Sequence, residues 1–412
     1  MYRPLLGNPL RPYGQRHLFP DVTPVATRAD RNPRPRLNLV LPTLHPKHIF
    51  GGITTALRTF EGLAAALGDG FDRRIICGYV PIDLETMAGM PDYRLVSIGS
   101  PYDAFPRTVV DVNDVDSGEL PIRAGDIFMP TAWWTATSSE LFQAAQGRYH
   151  GRELPILYLI QDHEPGFYGW SSNFSMSRAT YAHPDKTIAL INPEELANYM
   201  LRHYALTDAS IVRYAANAKI RGALSVRKRE RIILVYGRPS TPRNCFETLC
   251  AGLSLWQQAE PTVAAKWRIV SAGEEYDPAR AGGVYNLDVR GKLTLEDYAD
   301  VLSRASVGVS LMVSPHPSYP PLEMAHAGLR TITNAYECKD LRARSPNFIS
   351  LDVLTPDALA DALSRAVREA EAEIGRVRPF SEIAALPCPL PDYDPVALAE
   401  RLRGLVAAPV EA

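Results

Sequence analysis

Val309-Ser310-Leu311-Met312-Val313-Ser314-Pro315-His316-Pro317-Ser318-Tyr319-Pro320-Pro321-Leu322-Glu323 is the stretch that decides the fold. Val309 to Val313 reads as a buried, mostly apolar strand. Ser314 to Pro320 reads as a loop, and a helix opens at the second proline of Pro320-Pro321, with Glu323 in its first turn. Strand, loop and helix in that order form the repeating unit of a parallel sheet covered on both faces. Pro315, Pro317, Pro320 and Pro321 fix the backbone, so Tyr319 and Glu323 are ordered before any ligand arrives. A first-turn Glu balances a helix dipole; behind a rigid loop it also suits a binding surface.

The same unit recurs outward in both directions. Strands are expected at Leu37–Leu41, Phe71–Tyr79, Tyr93–Ile98, Asp126–Pro130, Ile156–Ile160 and Thr187–Ile191. Helices are expected after Gly51-Gly52, from Trp134 to Gln146 and from Glu194 to Tyr204. A charged break, Arg227-Lys228-Arg229-Glu230-Arg231, interrupts the pattern, which then restarts at the strand Ile232–Tyr236. Helix Phe246–Gln257, strand Trp267–Ser271, helix Thr294–Ser303, strand Val307–Val313, helix Pro321–Ala327 and strand Arg330–Asn334 follow. Thr355 caps a long helix with Pro356 in its first turn, and Leu359, Leu363 and Val367 line one face. These patterns predict an α/β protein of two tandem doubly wound, Rossmann-like domains facing a central cleft. The expected divisions are a Pro/Arg-rich extension over 1–36, a first domain over 37–222, a second over 223–380, and a connector with a final helix over 381–412. Ligands of such sheets bind beyond the carboxyl ends of the strands.

Composition narrows the functions. The chain has 412 residues, enough for two to three domains. Its 44 Lys and Arg nearly cancel 46 Asp and Glu, which excludes a strongly basic nucleic-acid binder. No apolar run approaches the roughly 18 residues of a membrane helix, and no secretory signal is apparent. The five Cys lack zinc-like spacing and read as reduced thiols of a cytoplasmic protein. Asn173-Phe174-Ser175 matches a glycosylation sequon and reads as chance. Neither G-x-G-x-x-G nor G-x-x-x-x-G-K-[ST] occurs, which speaks against dinucleotide dehydrogenases and P-loop NTPases.

Candidate site residues cluster at strand ends. Gly51 and Gly52 precede the first helix, where a backbone can approach an anion or simply turn tightly. Arg238 and Arg243 sit on the turn after Tyr236, and Lys292 follows Gly291; guanidinium forks and an ammonium suit a diphosphate, though solvated surface cations are the plainer reading. Gln161-Asp162-His163-Glu164-Pro165-Gly166-Phe167-Tyr168, with Trp170, sets ionisable groups and aromatics together, as sugar recognition does. Asp114-Val115-Asp116 resembles a metal-binding Asp-x-Asp, but its polar loop follows no strand. His45 and His48 have metal-ligand spacing without an H-E-x-x-H, so no metal is expected.

The combination resembles the two-domain GT-B glycosyltransferases of the retaining family 4 group, and more closely the WsaF-type rhamnosyltransferases of bacterial surface glycans. Tyr158 to Tyr168, Tyr236 to Asn244, Gly291 to Ala299 and Leu311 to His326 carry the likeness. It implies a nucleotide-sugar donor, dTDP-L-rhamnose, held by the second domain with no further cofactor. Arg238 and Lys292 would meet the diphosphate, with Arg243 as a second cation and Tyr319 alongside. Glu323 would meet the ribose hydroxyl, and Asp162 and His163 would be the catalytic residues on the acceptor side. The final helix would return to brace the first domain. Where the wider group carries another Glu, this chain has Pro315. The implied acceptor is a growing glycan or lipid-linked glycan, met in the cytoplasm or peripherally at the inner membrane within a glycan-assembly complex. The alternatives are a nucleotide-sugar epimerase or hydrolase on the same scaffold, and a catalytically degenerate scaffold protein.

Overall fold

A computed structural model describes residues 22, 25–45, 51–78, 81–82, 84–98, 105–113 and 118–409. In chain order the elements begin with β1 (Thr27–Asp30), β2 (Arg36–Leu41), α1 (Gly51–Leu67), β3 (Asp72–Cys77), α2 (Leu84–Ala88), β4 (Arg94–Val96) and β5 (Arg107–Asp111). Next come β6 (Leu120–Arg123), β7 (Asp126–Pro130), α3 (Trp133–His150), β8 (Ile156–Ile160), α4 (Ser172–Ala179), β9 (Thr187–Ile191), α5 (Glu194–His203) and β10 (Ala209–Ile211). After these lie α6 (Ala218–Ala223), β11 (Ile232–Gly237), α7 (Phe246–Ala259), α8 (Pro261–Ala264), β12 (Arg268–Gly273), β13 (Leu287–Val289), α9 (Leu295–Arg304) and β14 (Val307–Val309). The chain closes with α10 (Pro320–His326), β15 (Arg330–Asn334), β16 (Phe348–Leu351), α11 (Pro356–Glu371) and α12 (Pro395–Ala407). The chain forms two compact units. One comprises residues 1–192, 200–212 and 390–412, the other 193–199 and 213–389.

In the first unit one sheet runs β4-β5-β3-β2-β7 and a second runs β8-β9-β10, both all parallel, with β8 lying near β7. β1, within the Pro/Arg-rich extension, pairs in parallel with β6. Leu37, Leu39, Ile75, Val109 and Met129 face α1 through Phe60 and Leu63, and α12 adds Ala399 and Leu402 to the same core. Each such side chain stabilises the fold by about 1.5–3 kcal/mol. β5 was not anticipated: only Val109 and Val110 are apolar between Arg107 and Asp111, too short a run to signal a strand.

The amino ends of these strands hold a buried ionic lattice. Asp126, at 0 % exposure, accepts from Arg36 Nε at 2.7 Å and Nη2 at 2.8 Å and from Asn38 Nδ2 at 3.0 Å. Arg74 donates to Asn38 Oδ1 at 2.6 Å, and Arg123 bridges Asp30 at 2.8 Å and Asp72 at 2.6 Å. Burial alone would raise the Asp126 carboxyl; the Arg36 and Arg74 guanidiniums outweigh it and hold the group at about 2.

In the second unit six parallel strands run β13-β12-β11-β14-β15-β16. Chain order reverses direction between β11 and β14, so the loops after those two strands diverge and leave a crevice at their carboxyl ends. Helix α11 starts at Pro356 behind the Thr355 cap and buries Leu359, Leu363 and Val367 completely. It packs on α7 at Gly252, where a Cβ would lie within 2.9 Å of Leu359 atoms. Two expectations are corrected at the quoted stretch. β14 ends at Val309: the Ser310 N–H still bonds the Ile332 carbonyl of β15 at 3.0 Å, but the Leu311 carbonyl and both polar groups of Met312 are held by side chains, and α10 starts at Pro320, with Tyr319 as its N-cap.

Removing the Asp126 charge strands two buried guanidiniums. Asp126→Asn is expected to cost about 3–5 kcal/mol in urea unfolding. The wild type gains stability from this depressed carboxyl above about pH 4 and loses it as pH falls toward 2. The variant is expected to lack that acid-linked component, and identical pH profiles would contradict the assignment.

Candidate active site

The crevice of the second unit is built from loops at strand ends. At the root of the loop after β14, two consecutive peptides have all four polar atoms held by other loops. The Leu311 carbonyl accepts from Asn244 Nδ2 at 3.1 Å, and the Met312 N–H donates to Asn334 Oδ1 at 2.8 Å. The Met312 carbonyl accepts from Asn334 Nδ2 at 3.1 Å and from Lys339 Nζ, and the Val313 N–H donates to the Arg243 carbonyl at 2.8 Å. Asn244, Asn334 and Lys339 are all buried. They continue the ladder where β14 parts from β11 and β15, which keeps the crevice open without orphaned backbone groups.

Beyond this root, the Ser318 N–H donates to His316 Nδ1 at 2.9 Å, and Ser318 holds a left-handed φ of 67°. Tyr319 stacks edge-on to His316 at 5.5 Å and lies 5.5 Å from the Tyr214 ring. One turn on, the Glu323 N–H donates to the Tyr319 carbonyl at 3.0 Å. Burial pushes the Glu323 carboxyl up to about 7, and the adjacent Tyr298 hydroxyl pulls it partly back.

On the other side of the crevice, Arg238 follows Gly237 at the end of β11 and stacks over Tyr236 at 6.0 Å. A Cβ on Gly237 would meet Ser271 Oγ at 2.2 Å, so only glycine lets these two strand ends close up. The Gly273 N–H donates to the Gly291 carbonyl at 2.8 Å, bringing the loop that carries exposed Lys292 against the end of β12. Partial burial lowers the Lys292 ammonium from its usual range. Arg238, Arg243, Lys292, Tyr319 and Glu323 therefore all stand on carboxyl-end loops of one sheet or on the helix that follows one.

The first unit carries the other candidates. Asp162 follows β8, is nearly buried, and accepts the His163 N–H at 2.9 Å. His163 Nε2 bonds the Tyr204 hydroxyl at 2.8 Å, and burial pushes its imidazole down to about 4, against the charge of Asp162. The ring is thus neutral at pH 7. Gly51 and Gly52 open α1, and a Cβ on Gly52 would touch Gln161 Oε1 at 3.4 Å, beside Asp162 in sequence.

Glu164, expected among the converging groups, instead turns inward. Its carboxylate accepts the Trp133 N–H at the start of α3, where the Ala132 cap position has no side-chain acceptor. Tyr168 likewise turns to Trp133, accepting from its Nε1 at 2.9 Å. Asp114, Asp116 and His48 lie outside the described residues; the His45 N–H donates to Thr43 Oγ1 at 2.9 Å. Among the described residues no group of three His, Cys, Asp or Glu could hold a metal ion. Asn334 and Lys339 carry no sequence signal, since a polar residue ending a strand and a lone Lys in a loop are ordinary.

Comparison with known proteins bears on this geometry. The WsaF N-terminal domain family matches residues 36–194, and the WsaF C-terminal domain family matches residues 231–364. The chain belongs to the WsaF family. Its fold is that of the GT-B glycosyltransferases. A curated relative, the O-antigen biosynthesis protein RfbC of Myxococcus xanthus, is 27 % identical over 214 residues, which span 52 % of this chain and 16 % of that protein. Sucrose-phosphate synthase from Thermosynechococcus elongatus shares the fold at a TM-score of 0.52 and 12 % identity, covering 90 % of this chain and 94 % of that one. WaaG, a glycosyltransferase involved in lipopolysaccharide biosynthesis, does so at 0.50 and 12 %, covering 91 % and 96 %.

The placement of Glu164 separates structure from chemistry in this WsaF-family chain. Glu164→Ala is expected to lower stability in urea by about 0.5–2 kcal/mol, the cost of a lost helix cap, with turnover of the folded variant retained. Unchanged stability with lost turnover would instead give Glu164 a part in the chemistry.

Proposed function

We propose that the protein transfers L-rhamnose from dTDP-L-rhamnose to a growing bacterial surface polysaccharide, with retention of anomeric configuration. The observation that carries this reading is the crevice at the β11–β14 divergence, where three cationic side chains stand on loops beside a rigid strand end. Arg238, Arg243 and Lys292 neutralise the leaving diphosphate, so the reaction needs no metal ion. Tyr319 lies along the diphosphate, and Glu323 accepts the ribose hydroxyl. An oxocarbenium-like centre then meets the acceptor hydroxyl on the face the diphosphate leaves. Asp162 and His163 are assigned to that hydroxyl, Asp162 orienting it and the neutral imidazole serving as a second acceptor.

The sugar and nucleotide follow from the WsaF likeness. The polysaccharide role is supported by the M. xanthus relative, an O-antigen biosynthesis protein. Among the described residues no helix is long and apolar enough to cross a membrane. In this reading the protein acts in the cytoplasm and meets a lipid-linked glycan peripherally at the inner membrane.

Calorimetric titration in EDTA tests the donor: dTDP is expected to bind more tightly than UDP or GDP. Preference for either of the others, or binding only after Mn²⁺ is restored, would overturn the reading.

Glu323 is expected to bind as a carboxylate. Because its native pKa lies above the ordinary 4.5, it favours the fold at acid pH and withdraws that contribution as pH rises through about 7. Affinity for a dTDP-hexose, whose diphosphate stays ionised, is expected to weaken as pH falls below about 7. Glu323→Gln is expected to lose about fivefold in affinity at higher pH and to flatten that profile. The loss should vanish for a 3′-deoxy analogue; a loss of equal size there would detach Glu323 from the ribose.

A further inference from the structure

The Leu311–Val313 root contains one group that a purely structural clasp does not require. Lys339 is completely buried, and its ammonium reaches the Met312 carbonyl, which Asn334 already holds at 3.1 Å. Burying an ammonium is costly, and a neutral amide would satisfy a carbonyl at less cost. Lys339 itself is fixed by mutual backbone bonds with Tyr336, its N–H donating at 2.8 Å and its carbonyl accepting at 3.0 Å. The peptide it grips continues to the Val313 N–H, which bonds the Arg243 carbonyl. The charge therefore acts on a peptide that ties the loop after β14 directly to the Arg243 backbone. Its field also reaches that loop: burial raises the Cys245 thiol, and Lys339 pulls it partly back.

We propose that Lys339 is a positioning residue for the donor, its buried ammonium locking the Met312–Val313 peptide so that the loops bearing Arg243 and Tyr319 are preset for a nucleoside diphosphate. Its positive charge, shielded from water, adds to the field at the diphosphate end without touching the ligand. This rests on the donor reading given above. The position gives an ammonium a role that its substitutes would not share. Arginine would preserve the charge, glutamine a shorter neutral donor, and methionine only the volume.

The test measures dTDP and dTMP binding by calorimetry in wild type, Lys339→Met, Lys339→Arg and Asn334→Ala, with folding checked by circular dichroism. Lys339→Met is expected to lose about tenfold in dTDP affinity, less in dTMP affinity, and to show a shallower salt dependence. Lys339→Arg is expected to recover most of the loss. Should Lys339→Met fail to fold, the Arg variant and Asn334→Ala decide. Asn334→Ala, which loosens the same peptide but keeps the charge, is expected to weaken dTDP binding without altering its salt dependence. Equal losses for dTDP and dTMP, or no loss in a folded Lys339→Met or Asn334→Ala, would overturn the proposal. Failure of the wild type to bind dTDP would instead overturn the donor reading.

Discussion

Two peptides at the end of one strand set the form of the second unit. A doubly wound sheet must part its strands where the chain order reverses, and parting strands leaves backbone N–H and C=O groups without a ladder. Each such buried group left unsatisfied would cost about 1–3 kcal/mol. Here Asn244 enters from the β11 side, Asn334 and Lys339 enter from the β15 side, and the Arg243 carbonyl takes the last N–H. The crevice is therefore bounded by backbone that is bonded on both flanks. Loops of this kind can present cations and a carboxylate at fixed places, which is what a charged donor requires.

The first unit meets the opposite need at the opposite ends of its strands. Arg36, Asp72 and Asp126 begin β2, β3 and β7, and Arg74 and Arg123 join them in one hydrogen-bonded lattice. Charges so deep add little net stability over apolar packing, but each tolerates only its own partner. A slip of register by one residue would leave several of them buried and unpaired. The lattice thus fixes which strand lies where, at the ends opposite to those that carry Asp162 and lead to α1.

Much of this was legible in the residues, for reasons that differ from place to place. Ile156–Ile160 and Thr187–Ile191 were read to the residue because strands buried on both faces are continuously apolar. Val109–Val110 escaped because edge charges shorten its run. The end of β14 was misread because Leu311 to Val313 are as apolar as the strand before them; what stops the strand is Asn244 and Asn334, far away in sequence. Glu164 reads as one of the groups converging with aromatics because a carboxylate after a strand has the same pattern whether it faces a ligand or caps a helix. The roles proposed for Arg238, Lys292 and Glu323 came from likeness to the WsaF family, not from spacing, since the sequence alone could not bring the ends of β11, β13 and β14 to one edge.

The central claim is that the carboxyl end of β11 and β14 is where the nucleotide sits. A crystal structure of the protein grown with dTDP tests it most directly. The account predicts the diphosphate against Arg238 and Lys292 and the ribose at Glu323, with the Met312–Val313 peptide unmoved. Nucleotide seated on the first unit, at Gly51-Gly52 or Asp162, would contradict it.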